Sequence, residues 1–307
     1  MQPWDRLWYT AHMQTSGGFL TTQDGVRLYF EQLGSGAPVI VPNGLYFRDD
    51  FRHLTGRTLI FYDVRNRGRS ETVTDIAKLA RGIQQDVDDL ESVRRHFRFD
   101  QVDVIGHSYI GLVAALYAMK YRANTARVVQ IGPVQPDATR QYPPDLSHAN
   151  STSAAVMSEM ARMLKDRPSG DPEDLCRQFW SILRPMYVVN PADAARINWG
   201  RCELENERNF MRYWTAHLWP SIQGINLTQE DFAKATSPVL IVHGTKDRNA
   251  PYGGGRDWAM RLPDARLVTV ENAAHAPWIE APELVFNSIE TFLDGEWPKS
   301  AEKVTSL

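Results

Sequence analysis

The sequence predicts an α/β fold in which a mostly parallel sheet carries helices on both faces and one helical insertion. Short continuous apolar runs, typical of buried parallel strands, alternate with amphipathic segments of helical period. This alternation stops after Pro136 and resumes near residue 238, and only helix-like segments lie between. We therefore expect residues 1–136 and 232–307 to form a core domain, and residues 137–231 to form a helical cap.

The first part of the chain predicts an antiparallel hairpin followed by strand–helix units. Residues 19–33 alternate in polarity around Asp24-Gly25, a dipeptide typical of a two-residue hairpin turn. A helix is predicted from about Asp75 to His96, because its apolar residues recur with a period close to 3.6. The other predicted elements are strands at residues 38–42, 58–62, 102–105 and 127–131, and a helix at residues 112–120.

The second part predicts the cap and then the end of the sheet. Helix-like segments lie at residues 151–165, 172–183, 191–197 and 205–217. Strands are predicted at residues 239–243 and 265–270, and a last helix at residues 282–293. The charged tail beyond Gly295 is expected to fray.

Composition argues against several classes of protein. The net charge of −3 and the absence of a Lys/Arg run give no reason to expect a nucleic-acid partner. No apolar stretch is long enough to span a membrane, and residues 1–16 lack the apolar core of a signal peptide. The two cysteines, Cys176 and Cys202, are too few and too isolated for a disulfide framework or a zinc site. A cytoplasmic location is therefore expected.

Residues 102–112 contain the strongest candidate for a nucleophile. An apolar strand ends at Gly106-His107-Ser108, and a helix-forming segment begins almost at once. Such a turn strains the central residue and presents its side chain at the carboxyl end of the sheet, beside a helix N-terminus that stabilises negative charge. This nucleophile-elbow pattern makes Ser108 the candidate. Ile110 departs from it, because a second glycine is usual there, and Gly-x-Ser alone is common by chance.

A serine needs a base and a carboxylate that orients the base. Asp247 and His275 each follow a predicted strand, at the edge of the sheet where catalytic groups of α/β folds gather. Taken singly, such an aspartate is more often a cap or turn former, and a lone loop histidine is usually structural. The order Ser108, Asp247, His275, with each residue just after a strand, favours a catalytic triad.

With these residues, the chain resembles the α/β-hydrolase superfamily from Gly18 to Leu293. The matching motifs are Gly106-His107-Ser108, His243-Gly244-Thr245-Lys246-Asp247, Ala273-Ala274-His275-Ala276-Pro277-Trp278 and the Asp63–Ser70 loop. The resemblance implies a hydrolase without cofactor or metal, whose oxyanion hole uses the backbone N–H groups of Leu45 and Tyr109. Asn43 stands where the family usually has histidine, and a turn residue tolerant of positive φ is the alternative interpretation of that asparagine.

The resemblance also implies that the cap selects the substrate. Proline iminopeptidase-like members hold a substrate's amino terminus with cap carboxylates, a part that Glu203, Glu205 and Glu207 would play here. Alternatively, these glutamates are solvated charges at the start of a helix. Trp199, Trp214 and Trp278 are candidates for the pocket wall, although packing alone also explains tryptophans.

The sequence thus predicts a serine hydrolase that cleaves a small ester or amide through an acyl-enzyme. A proline iminopeptidase-like aminopeptidase and a carboxylesterase or lactonase both fit, and a hydrolase of carbon–carbon bonds uses the same triad. Epoxide hydrolases and dehalogenases are disfavoured, because those relatives carry aspartate in place of Ser108. From another class, the fold also suits a non-catalytic ligand-binding relative. The expected partner is a small molecule or a short peptide.

Overall fold

A computed structural model describes residues 15–147, 171–197 and 199–307, together with Ser158 and Arg162. Nine strands form one sheet in the order β1-β2-β4-β3-β5-β6-β7-β8-β9. Strands β3 to β8 pair in parallel where they are neighbours, whereas β1–β2, β2–β4 and β8–β9 are antiparallel. The strands are β1 (Thr15–Thr21), β2 (Arg27–Gly34), β3 (Ala37–Pro42), β4 (Arg57–Tyr62), β5 (Val102–His107), β6 (Thr125–Ile131), β7 (Val239–Gly244), β8 (Ala265–Val270) and β9 (Ala301–Glu302).

Helices cover both faces of the sheet, because the buried strands are apolar on both sides. One apolar core contains Ile40 and Val104 with residues from the second and third helices, and the other contains Val41 and Ile105 with residues from the first and last helices. The α-helices of the described residues are α1 (Gly44–Phe51), α2 (Ile83–His96), α3 (Tyr109–Lys120), α4 (Pro144–Ser147), α5 (Pro172–Leu183), α6 (Glu205–Tyr213), α7 (Trp219–Gln223), α8 (Gln229–Lys234), α9 (Tyr252–Arg261), α10 (Pro277–Glu280) and α11 (Pro282–Leu293).

Between β6 and β7 the described residues contribute no strand to the sheet, only helices and one isolated bridge between Asp137 and Asn226. Besides α4 to α8, this part holds short 3₁₀ segments at Arg184–Tyr187 and Pro191–Arg196, and a π-helical turn at Trp214–Leu218. The helix expected at residues 151–165 lies outside the described residues. The assignment of residues 137–231 to a separate cap remains a prediction.

Several boundaries differ from the predictions. The long helix expected from Asp75 begins only at Ile83, because Gly82 takes φ 50° and separates it from a 3₁₀ turn at Ile76–Lys78. Five residues, 22–26, lie between the paired Thr21 and Arg27 in the hairpin. The helices α1 and α9 were not expected. The tail does not fray, since β9 pairs with β8.

Cys176 and Cys202 form a disulfide that joins α5 to the turn before α6. This single bond was not predicted, because two isolated cysteines indicated neither a disulfide framework nor a zinc site. Their side chains are buried side by side, although 26 positions separate them in sequence. The cytoplasmic location, which relied partly on the lack of a disulfide framework in the sequence, remains a prediction. Within the described residues, none of the helices combines the length and the apolar character needed to cross a membrane.

Candidate active site

Ser108 occupies the sharp turn between β5 and α3. Its backbone has φ 58° and ψ −127°, and its side chain is half-buried. Gly106 permits the turn, because a Cβ there would lie 2.4 Å from the carbonyl oxygen of Ile110. The isoleucine in place of the usual glycine is buried within the core. The strand, the strained serine and the helix thus form the predicted elbow geometry.

Asp247 and His275 are joined by a buried hydrogen bond of 2.7 Å between Oδ2 and Nδ1. Asp247 follows β7, and His275 follows β8, so both lie at the carboxyl edge of the sheet. Both side chains are 0% exposed. Gly132, at the end of β6, leaves room for them, since a Cβ there would lie 3.1 Å from Asp247 Oδ2 and 3.1 Å from His275 Nδ1.

The Asp247 carboxylate receives four N–H groups. His243 Nε2 lies 3.2 Å from Oδ2, and the backbone N–H groups of Asn249 and Ala250 donate to Oδ1 at 2.8 and 2.9 Å. Burial raises the pKa of this carboxyl, but His275 and His243 outweigh burial and hold the pKa well below its usual value. Asp247 is therefore ionised at neutral pH and able to stabilise positive charge on His275.

The other ring nitrogen of His275, Nε2, is buried and has no hydrogen-bond partner among the described residues. Ser108 is not hydrogen-bonded to it in this structure. Such contacts are often long without substrate and shorten in the reacting complex. An imidazole that holds its Nδ1 proton toward Asp247 has an unprotonated Nε2, which is the state that a general base requires.

Two residues that the predictions passed over hold the His275 loop. His107 Nε2–H donates to the carbonyl oxygen of His275 at 2.8 Å, and the two rings lie 4.4 Å apart. Burial, followed by the nearby His275, lowers the pKa of His107 well below its usual value, so that His107 stays neutral. The backbone carbonyl oxygen of Tyr187 accepts a hydrogen bond from the N–H of Ala276 at 2.8 Å, and the Tyr187 ring lies 4.9 Å from that of His275. In the sequence, the one indication that His107 supports the site was its position directly before Ser108.

The two predicted oxyanion donors are in different situations. Tyr109 is the first residue of α3, so that its N–H has no carbonyl to bond within the helix. The N–H of Leu45, in contrast, donates to Asp63 Oδ1 at 2.7 Å. Asp63 is buried and also accepts from Arg69. The role of Leu45 at the oxyanion remains a prediction; in this structure α1 begins directly at Gly44, and the Leu45 N–H is directed toward Asp63.

The tryptophans lie on two sides of the elbow. The rings of Trp199 and Trp278 lie 5.7 and 5.0 Å from that of His107. Both are buried and tied down, because Trp199 donates to the carbonyl oxygen of Tyr46 and Trp278 donates to Asp50. The half-buried Trp214 lies 5.5 Å from the Tyr109 ring. Trp199 and Trp278 therefore pack against His107, and Trp214 packs against Tyr109, so that aromatic rings adjoin both sequence neighbours of Ser108.

The three candidate glutamates do not converge. Glu203 and Glu205 are exposed, and Glu203 pairs with Arg201. Glu207 is 2% exposed and accepts hydrogen bonds from Arg67 Nε and from the N–H of Gly68, both at 3.1 Å. Its second oxygen bonds the Tyr46 hydroxyl. The structure thus places two of these carboxylates at the surface and engages the third in the protein's own contacts.

Comparisons with known proteins identify relatives of this chain. The model of the alpha/beta hydrolase family matches residues 34–288. The proline iminopeptidase PfmaB of Pestalotiopsis fici is 26% identical over 243 residues, covering 77% of this chain and 81% of that protein. The rhodomycin D methylesterase DauP of a Streptomyces species is 28% identical over 282 residues, covering 84% and 91%. An esterase structure from Exiguobacterium antarcticum superposes with a TM-score of 0.68 at 18% identity, covering 91% and 100%.

Proposed function

Because the chain belongs to the alpha/beta hydrolase family, we propose that it is a serine hydrolase in which Ser108, His275 and Asp247 cleave a carboxylic ester. The observation that carries the proposal is the buried Asp247–His275 hydrogen bond, at the sheet edge where the strained Ser108 also lies. No metal or organic cofactor is part of the proposed reaction.

The reaction begins when Ser108 Oγ attacks the carbonyl carbon and His275 Nε2 takes the hydroxyl proton. The π electrons of the carbonyl move onto oxygen, beside the N–H of Tyr109 and the N-terminus of α3. The intermediate collapses, the bond to the leaving alcohol breaks, and His275 donates the proton to that alcohol. Water then attacks the acyl-enzyme by the same route and releases the acid. Asp247 orients the imidazole throughout and stays ionised.

The environments of the glutamates favour an ester over an aminoacyl amide. An aminopeptidase needs a carboxylate that is free to bind the substrate's ammonium group in the pocket. Glu203 and Glu205 are exposed, and Glu207 is already paired with Arg67. The aromatic side chains Trp199, Trp278 and Tyr187 near His275 suit an apolar acyl group. The sequence similarity to a proline iminopeptidase supports the aminopeptidase as the second candidate.

The Ser108→Ala variant tests the mechanism. We expect hydrolysis of p-nitrophenyl esters to fall by at least about 10⁴-fold, because the nucleophile is lost. The melting temperature should stay close to that of the wild type, since a single half-buried hydroxyl is removed. A fluorophosphonate probe should label the wild type and leave the variant unlabelled. Wild-type turnover by the variant, or an unlabelled wild type, would contradict the mechanism and favour a non-catalytic binder.

A paired assay separates the two substrate classes. For an esterase, short-chain esters should be cleaved and aminoacyl naphthylamides should not. Cleavage of a naphthylamide that is abolished when its amino group is acetylated would instead establish the aminopeptidase. Glu205→Gln should lower only that activity, and the exposed Glu230→Gln serves as the matched control.

A further inference from the structure

The proposed reaction lacks one hydrogen-bond donor in this structure. A tetrahedral oxyanion is normally stabilised by two donors, and each contributes a large part of the rate. The N–H of Tyr109 is one of them, but the N–H of Leu45 donates to Asp63. The same carboxylate also accepts hydrogen bonds from the backbone and side chain of Arg69, which hold it in place beside Leu45. A second donor therefore has to come from another group near Ser108.

Asn43 carries a side-chain amide without a hydrogen-bond partner. The residue is 5% exposed, and its side chain makes no hydrogen bond to the described residues. Asparagine directly before a helix usually caps the first turn, but here the side chain makes no capping bond to α1. The amide nitrogen and oxygen are themselves not fully buried, so the N–H groups are free to donate to a bound group.

The strand register places Asn43 next to the elbow. Strand β3 pairs in parallel with β5, with Val39 opposite Asp103 and Ile40 opposite Val104. Continuing this register by three residues brings Asn43 opposite His107 and Gly44 opposite Ser108. The paired residues of these two strands end at Ile40 and Val104, and this count places Asn43 at the same edge of the sheet as the nucleophile turn. The helix that follows stays close, since the ring of Phe47 lies 5.4 Å from that of His107.

The backbone of Asn43 fits the same role. Its φ of 64° and ψ of 44° are left-handed, a conformation that asparagine tolerates better than most residues. This conformation ends β3 and starts α1 immediately, which turns the N–H of Leu45 away toward Asp63. The left-handed turn at Asn43 thus takes the Leu45 N–H away from the expected oxyanion site. At the same strand end, the side-chain amide of Asn43 is left without a partner.

We propose that the side-chain amide of Asn43 is the second oxyanion donor of this hydrolase, in place of the backbone N–H of Leu45. This inference rests on the proposed function. As Ser108 Oγ bonds to the carbonyl carbon, the carbonyl oxygen gains the electron pair and accepts a hydrogen bond from Asn43 Nδ2–H. Asn43 keeps its proton; the proton of Ser108 goes to His275 and then to the leaving alcohol.

The Asn43→Gly variant of the full chain tests the assignment. Glycine adopts positive φ readily, so it keeps the turn while it removes the amide. We expect kcat for p-nitrophenyl esters to fall about 100- to 1000-fold, with KM little changed, because the amide acts on the transition state. The matched control is Asn272→Gly, which makes the same change at an exposed residue with φ 56° and should keep wild-type kcat.

A second variant covers the case in which the glycine protein does not fold. Asn43→Asp keeps the size and the tolerance for positive φ, but an ionised carboxylate has no N–H to donate and repels the oxyanion. It should lose at least as much kcat as the glycine variant. Wild-type kcat in either folded variant would overturn the inference. The proposed function would survive that result if Ser108→Ala is inactive, whereas an active Ser108→Ala protein would end both.

Discussion

His107, the neighbour of the candidate nucleophile, makes the stability of the folded protein depend on pH. Its ring is buried and neutral in the folded protein, and it holds the His275 carbonyl. Burial depresses the pKa in the folded state, whereas an unfolded histidine titrates near 6.5. Below that pH the unfolded chain binds a proton that the folded protein does not bind. The free energy of unfolding therefore falls on acidification, by up to about 1.4 kcal/mol per pH unit for this one group.

We predict that His107→Phe removes this part of the pH dependence. At pH 7.5 the variant should be less stable by about 1 to 3 kcal/mol, since the carbonyl of His275 loses a buried donor. Between pH 6.5 and pH 5.5 it should lose less stability than the wild type. Urea unfolding at the three pH values measures both effects. Equal losses in the two proteins on acidification would show that His107 does not titrate as described.

The residue scale also marks the limit of prediction from the sequence. Asp247 and His275 were found because each follows an apolar strand, and the structure joins their side chains. Whether Ser108 acts with them remains a prediction. The use of the Leu45 N–H by Asp63 was not predictable, because it depends on where α1 begins. Tyr187 was missed for a similar reason, since only folding brings this distant residue against His275.

A buried ion pair helps to fix helix α6 to the core. The Glu207 carboxylate bonds Arg67 and the N–H of Gly68, in the loop after β4. The Arg67 guanidinium lies 3.8 Å from the centroid of the Phe210 ring. Burial lowers the pKa of Arg67, but Glu207 and Tyr46 raise it above its usual value, so the arginine stays charged. Removing the glutamate alone would leave this charge buried without its partner.

Glu207→Ala is therefore expected to destabilise the protein by about 3 to 5 kcal/mol, the usual result of breaking one half of a buried pair. Glu205→Ala on the same helix is the matched control, and it should change stability by less than about 0.5 kcal/mol because the side chain is exposed. Thermal and urea unfolding report both values. If Glu207→Ala were as stable as the wild type and had lost only aminopeptidase activity, Glu207 would be a substrate carboxylate instead.

Elements with a clear period were predictable, and those that depend on backbone exceptions were not. Helix α5 has the predicted limits, Pro172–Leu183, because Asp171 caps it and proline starts it. Helix α2 starts late because Gly82 leaves the helical conformation, and the hydroxyl of Ser221 accepts the N–H of Ile83. Helix α9 was not predicted, because its three consecutive glycines weaken the helical pattern in the sequence. Tertiary packing holds this helix together.

At the scale of the whole molecule, the parallel order of the central strands follows from the alternation of strands and helices in sequence. The sequence therefore predicted the family fold. It did not predict the pairing of Cys176 with Cys202, because sequence distance says nothing about approach in space. This bond lies close to the aromatic residues of the candidate site. Trp180 follows Cys176 by one helical turn, and the centroid of its ring lies 6.3 Å from that of Trp199.

The double variant Cys176→Ala/Cys202→Ala should be less stable than the wild type by about 2 to 4 kcal/mol, the range typical of a cross-link that closes a loop of this length. Wild-type protein in the presence of a reductant should approach the stability of the variant. Calorimetry of both proteins, each with and without the reductant, measures the differences. A reductant that lowers the stability of the double variant as well would show that it acts elsewhere in the chain.

The same bond affects how the enzyme is prepared. Cells whose interior keeps thiols reduced would deliver a dithiol form, and an oxidising secretory route would deliver the bonded form. Samples from the two hosts would differ in mass by only two hydrogen atoms, yet they would tolerate storage and heating differently. Batches should therefore be compared only after their thiol content has been measured.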